Sequence, residues 1–118
     1  MKSTICLDFD GVCNLYNGWT GEDNLLEPRP GLDSFISYII TKLNKKVAIF
    51  STRPPVKLSN WFVSNFPNLQ DHINSGDLYF PDKKPSALYY IDACAIQFNG
   101  DFGQTIKDID NFKVYWQK

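Results

Sequence analysis

The stretch Ile5-Cys6-Leu7-Asp8-Phe9-Asp10-Gly11-Val12 decides how the chain is read. Ile5, Cys6 and Leu7 form a short apolar run, as expected of a strand covered on both faces, and the strand is placed over Thr4 to Phe9. Two carboxylates, Asp8 and Asp10, stand at its carboxyl end. Two residues apart on an extended chain, they point the same way. They repel each other unless a cation lies between or beside them. Mg²⁺ suits that place, because it takes hard oxygen ligands in octahedral geometry. Gly11 then permits an abrupt change of direction. By itself Asp-x-Asp is a weak signal; here it follows an apolar strand and precedes Gly-Val.

Outward from this stretch, residues 11–30 carry Gly11, Gly18, Gly21, Pro28 and Pro30, which disfavours helix. A loop of that length inside a compact domain is usually functional. Leu32, Phe35, Ile36, Ile39, Ile40 and Leu43 then recur at helical spacing as one apolar stripe. Pro30-Gly31 marks the start of this helix and Asn44-Lys45-Lys46 its cationic end. Val47 to Ser51 reads as the second strand. Pro54-Pro55 opens a second helix, where proline is tolerated because the first N–H groups lack helical partners. Its stripe is Leu58, Trp61, Phe62 and Phe66, and Pro67 ends it. Leu78 to Phe80 is a short third strand, Leu88 to Ile91 a fourth and Ala95 to Phe98 a fifth. The tail holds a short helix with Ile106 and Ile109 inward, then a strand-like stretch from Phe112 to Trp116.

Strands alternating with helices indicate an α/β fold with a mainly parallel sheet. No repeat or linker divides the chain, so residues 1–118 read as a single domain. In such sheets ligands bind beyond the carboxyl ends of the strands. Asp8, Ser51 and Asp92 each sit at the C-terminal end of a predicted strand, so three distant positions converge on one rim.

Composition narrows the function classes. With 43% hydrophobic and 21% charged residues the chain is globular rather than disordered. A net charge of −1 gives no electrostatic reason for bulk binding to nucleic acid or membranes, although it leaves room for a local basic site. No apolar run approaches the ~18 residues of a membrane span. Met1-Lys2-Ser3-Thr4 leads directly into the first strand, unlike a signal peptide. Cys6, Cys13 and Cys94 lack CxxC or zinc-like spacing and read as reduced thiols of a cytoplasmic protein. His72 is the single histidine, which argues against a Ser-His-Asp hydrolase, and it reads as a surface residue.

Three further elements carry chemistry. Ser51-Thr52-Arg53 places hydroxyls at a strand end before a helix, where they can bond a phosphate oxygen or simply cap the helix. Asp82-Lys83-Lys84-Pro85 offers a lysine to neutralise an aspartate and a phosphate, or a solvated pair. Asp92, directly after Tyr89-Tyr90-Ile91, is an acid that needs solvent or a ligand there, or else a turn residue.

Taken in order, these elements resemble the four motifs of the haloacid dehalogenase superfamily, and the resemblance covers nearly the whole chain. Asp8-Phe9-Asp10-Gly11-Val12 is typical of the first motif. The stretch Lys84-Pro85-Ser86-Ala87 through Ile91-Asp92, with Phe98-Asn99-Gly100-Asp101-Phe102 behind it, is similar to small bacterial and phage members. The resemblance implies a three-layer α/β/α Rossmann-like fold without a cap domain, the 11–30 insertion being a short flap. It implies an Mg²⁺-dependent phosphatase acting on a phosphorylated small molecule or a macromolecular phosphate ester. Asp8 would be the nucleophile that forms an aspartyl-phosphate. Asp10 would be the acid/base. Lys84, with Lys83 as the alternative, would steady the phosphoryl group, and Ser51, Thr52 and Arg53 would bind substrate. Mg²⁺ would be held by the Asp8 carboxylate, the Asp10 backbone carbonyl and Asp92. One departure is Ala93, where the fourth motif often carries a second acid; its loss would weaken metal binding or its support, and Asp101 is a candidate replacement. Tyr16, Trp19 and Arg29 would either contact substrate or pack the loop. Two alternatives remain: a silent relative that binds Mg²⁺ or a phosphorylated partner, and a nucleic-acid end phosphatase whose loop aromatics stack on bases.

Overall fold

A computed structural model describes residues 2–114. Strands β1 (Thr4–Asp8), β2 (Lys46–Phe50), β3 (Leu78–Tyr79) and β4 (Tyr89–Ile91) form one all-parallel sheet in the order β3-β2-β1-β4. Helices α1 (Leu32–Thr41), α2 (Pro55–Asn65), α3 (Gln70–Ser75) and α4 (Phe102–Asn111) accompany it, in an α/β arrangement compatible with a Rossmann-like fold. β1 is central. It pairs with β2 from Thr4↔Lys46 to Asp8↔Phe50 and with β4 from Ile5↔Tyr89 to Leu7↔Ile91. Its carboxyl end therefore lies between two neighbours, which places Asp8 in the middle of the rim.

Side chains alternate along a strand, and residues paired in parallel register share a face. Ile5, Leu7, Val47, Ile49 and Leu78 occupy one face, together with Phe9 just beyond β1, and all are buried. Leu32, Ile36, Ile39 and Ile40 of α1 and Leu58 and Phe62 of α2 pack onto that face as a single cluster. Each such side chain contributes about 1.5–3 kcal/mol on leaving water, and this cluster is the main stabilising mass of the domain. The opposite face carries Thr4, Cys6, Asp8, Ala48, Phe50, Tyr79 and Tyr90, none of which joins the cluster. The candidate site opens on that second face.

α1 begins at Gly31, whose φ of 89° lies in the left-handed region that glycine adopts without strain. Its buried stripe is narrower than the sequence implies: Phe35 is exposed within the helix, and Leu43, also exposed, lies beyond its end at Thr41. His72 sits half-buried on α3. None of the described helices is long and apolar enough to cross a membrane.

Two expectations fail in the C-terminal third. Ala95–Phe98 forms no strand, so β4 is an edge strand, and its three residues are all exposed. α4 forms, but its apolar side faces solvent rather than the core: Ile106 and Ile109 are each 61% exposed. Asp101 caps α4 by accepting from the Gln104 N–H, and Gln104 bonds Asp108 one turn on, so the helix is supported locally. Periodicity identifies an apolar side; it does not supply a surface for that side to meet. Residues 112–114 carry no regular structure, and Tyr115 and Trp116 lie outside the described residues.

Candidate active site

The chain turns sharply after β1. The Val12 and Cys13 N–H groups both donate to the Phe9 carbonyl, and Gly11 sits at φ 89°. The strand of loop leaving this turn is bridged to the strand that returns, through Asn14↔Pro28. The Leu15 N–H donates to the Glu27 carbonyl, and the Arg29 N–H donates to the Cys13 carbonyl. Residues 11–30 thus form a flap tied at its base. Arg29 also donates through Nη2 to the carbonyls of Gly11 and Asn14, which packs the loop, one of the two readings open for it.

Two buried polar side chains orient Asp10. Asn14, fully buried, accepts from the Gly11 N–H at 2.9 Å through Oδ1, and its Nδ2 donates to Asp10 Oδ1 at 3.0 Å and to the Leu25 carbonyl at 2.8 Å. Arg53, only 2% exposed, donates from Nε to both Asp10 oxygens at 3.1–3.2 Å and from Nη2 to Oδ1 at 3.0 Å. Its Nη1 reaches the flap carbonyls of Gly21 and Glu22 at 3.0 and 2.7 Å. The Trp19 ring lies 4.6 Å from the guanidinium carbon and the Phe9 ring 5.9 Å. All three guanidinium nitrogens are thereby engaged within the protein. Arg53, expected to bind substrate, is instead the strut that joins Asp10 to the flap. Only a planar fork with donors on three nitrogens makes this set of contacts; a lysine would not.

A cavity of about 300 Å³ opens at the carboxyl ends of β1, β2 and β4. Asp8, Asp10, Ser51, Thr52, Lys84 and Asp92 all line it. Of the expected site residues only Arg53 does not, and Lys83 is likewise absent from the lining. Neither Ser51 nor Thr52 caps α2, whose N-cap is Pro54; Ser51 Oγ accepts from the Arg53 N–H at 3.1 Å and fixes the turn between β2 and α2. Lys84 Nζ rests 4.5 Å from the centre of the Tyr90 ring. The Tyr90 hydroxyl donates to the Pro85 carbonyl at 2.6 Å and accepts from the Ala87 N–H, so one side chain clamps the lysine's loop. Asp92 Oδ1 accepts from the Cys94 N–H at 2.7 Å, a turn closure that leaves Oδ2 for other partners. Ala93 lies on a different surface, beside Gly11, Val12 and Arg29. A second acid at position 93 would therefore stand outside this cavity. Asp101, the candidate replacement, is the cap of α4 and does not line the cavity.

Electrostatics single out Asp8. Burial, the Asp92 charge, the Asp10 charge and a hydrogen bond with Asp92 push its carboxyl up from 3.8 to about 7, against the opposing Phe9 N–H. The thiols of Cys6 and Cys94 are pushed up by burial first, and that of Cys13 well above the ordinary range for the same reason. Thiolate chemistry is correspondingly disfavoured. Among the described residues no three His, Cys, Asp or Glu side chains cluster to hold a metal ion. The Asp10 carboxylate is engaged by Arg53 and Asn14, so the ligands a cation would find are the Asp8 and Asp92 carboxylates and backbone oxygen. Two crowded hard anions of this kind suit a divalent ion such as Mg²⁺.

Sequence reasoning missed Asn14 and Tyr90. Asn14 lies four residues beyond Asp10 in a glycine-containing turn, which is its one local signal. Nothing local marks Tyr90, because its role follows from the β4 register that sets it on the face of Cys6 and Asp8. Comparison with protein-family models, with curated proteins and with solved structures returns no match.

Proposed function

We propose that this chain is a capless, Mg²⁺-dependent phosphatase of the haloacid dehalogenase type, built on that family's three-layer frame. The observation that carries the reading is convergence. Asp8 and Asp10, Ser51 and Thr52, Lys84, and Asp92 come from four separate segments and line one cavity at the strand ends. That grouping supports the motif resemblance.

The chemistry follows from these groups. An Asp8 oxygen attacks phosphorus, the P–O bond to the leaving group breaks, and the departing oxygen takes a proton from Asp10. Water then gives a proton back to Asp10 and attacks phosphorus, and the Asp8–phosphorus bond breaks. Asp10 is held for this exchange, because Oδ1 takes three of its four hydrogen bonds from Arg53 and Asn14 and Oδ2 takes one. Oδ2 is therefore the oxygen with capacity for the mobile proton. Ser51, Thr52 and Lys84 bind the phosphoryl oxygens, and Tyr90 keeps Lys84 over the cavity. Asp8, Asp92 and the Asp10 carbonyl would hold Mg²⁺, which when bound neutralises charge on the phosphoryl oxygens.

Hydrolysis of p-nitrophenyl phosphate tests the reading. Turnover with Mg²⁺ that disappears with EDTA and in Asp8→Asn is the expected result. Absence of turnover in a folded protein that still binds Mg²⁺ would overturn it and leave a silent Mg²⁺- or phosphate-binding relative.

A further inference from the structure

The walls of the cavity bear on which phosphate ester it takes, an inference that rests on the phosphatase reading. Among the described residues, Asp8, Asp10 and Asp92 line the cavity against one cation, Lys84. Arg53, the cation next to it, is bonded to Asp10 and to the flap carbonyls. One lysine and one divalent ion match a single phosphate. A di- or triphosphate would bring further negative charge beside three carboxylates, with no cation in the lining to meet it. A nucleic-acid strand is held by several Lys or Arg contacts along its backbone, and among the described residues only Lys84 of these types lines this cavity.

Beyond the hydroxyls of Ser51 and Thr52, the rest of the lining is aromatic or apolar: Tyr16, Phe50, Tyr90, Cys6, Ile91 and Cys94. Trp19 lies outside the lining, 57% exposed, with its ring 4.6 Å from the buried Arg53 guanidinium that bonds Asp10. A cation stacked on the ring fixes its orientation while leaving much of its surface in solvent. The group that leaves takes its proton from Asp10, so it lies against Asp10, whose partner Arg53 stacks on Trp19. Exposed rings bind planar ring systems through stacking without needing specific hydrogen bonds. At about 300 Å³ the cavity stands at the small end of ligand sites.

We propose that the site takes monophosphate esters whose leaving group is uncharged, ends in a planar aromatic ring, is no larger than a nucleoside, and stacks on Trp19. The test compares kcat/KM with Mg²⁺ for 2-naphthyl phosphate, a nucleoside 5′-monophosphate, ribose 5-phosphate and a nucleoside triphosphate. The same four are run on Trp19→Ala and Trp19→Phe. The ring-bearing monophosphates are expected to exceed both ribose 5-phosphate and the triphosphate by about tenfold, the scale of one aromatic–base stack. Trp19→Ala is expected to shrink the ratio of ring-bearing to ringless ester, and Trp19→Phe to keep most of it. Equal kcat/KM for ring-bearing and ringless esters, or a ratio that Trp19→Ala leaves intact, overturns the proposal. Turnover of none of the four is a failure of the phosphatase reading itself. The ring preference is then read from binding: 2-naphthyl phosphate no tighter than inorganic phosphate by calorimetry overturns it too.

Discussion

Replacing Arg53 by methionine removes the strut between Asp10 and the flap while keeping an apolar stem of similar length. Arg53 has a fully buried side chain, and its partner Asp10 has a side chain 18% exposed. Three of the lost hydrogen bonds end on the Asp10 carboxylate and two on the carbonyls of Gly21 and Glu22. Breaking one side of a buried ion pair typically costs about 3–5 kcal/mol, because the other charge stays behind without compensation. Asp10 keeps its Asn14 contact and some access to water, so the lower end, about 3 kcal/mol, is expected here. For a chain of this size that corresponds to a melting temperature lower by roughly 10 °C. Urea unfolding of Arg53→Met, Asp10→Asn and the double variant measures it. Most of the penalty should vanish in the double variant, since Asp10→Asn removes the charge left unpaired. Limited proteolysis should also cut the 11–30 flap faster in Arg53→Met. Stability within about 0.5 kcal/mol of the parent, or strictly additive single losses, would refute the argument that Arg53 holds this pair.

Asn14→Ala removes the hydrogen bonds from the Gly11 N–H and to the Leu25 carbonyl and should cost about 1–3 kcal/mol in urea unfolding. Asn14→Asp should cost more, because it sets a second carboxylate against Asp10 Oδ1 at the 3.0 Å position. In metal-free protein the raised Asp8 carboxyl makes the folded chain bind more protons than the unfolded chain between pH 3.8 and about 7. Stability should therefore fall as pH rises through that window and level off above it. Asp8→Asn should flatten the dependence, and Mg²⁺ should raise the urea midpoint most at the alkaline end; a midpoint that rises with pH across the window contradicts the assignment. Ile106→Lys should leave stability within about 0.5 kcal/mol, since this side chain faces solvent; a loss of several kcal/mol in thermal melts would mean that α4 packs its apolar side.

The sequence by itself determined the order of β1, α1, β2 and α2 and the strand-end positions of Asp8, Ser51 and Asp92. Those depend on short apolar runs, helical periodicity and proline or glycine punctuation, all of which act within a few residues. The motif resemblance added Lys84, with Lys83 as the alternative, as the lysine to expect at the site. Tertiary structure decided the rest, because partners distant in the chain set it. Arg53 stood next to two hydroxyls and read as a substrate contact. Its neighbours in space are Asp10 and the flap carbonyls, some thirty to forty residues away in the chain, and burial requires its charge to be paired there. Ala93 read as the loss of a second acid that would weaken metal binding or its support, yet the turn closed by Asp92 and Cys94 sets it on another surface. Ile106 and Ile109 read as core because periodicity assigns an apolar side to a helix. Whether that side is buried depends on the surface it meets, which no local pattern of residues specifies.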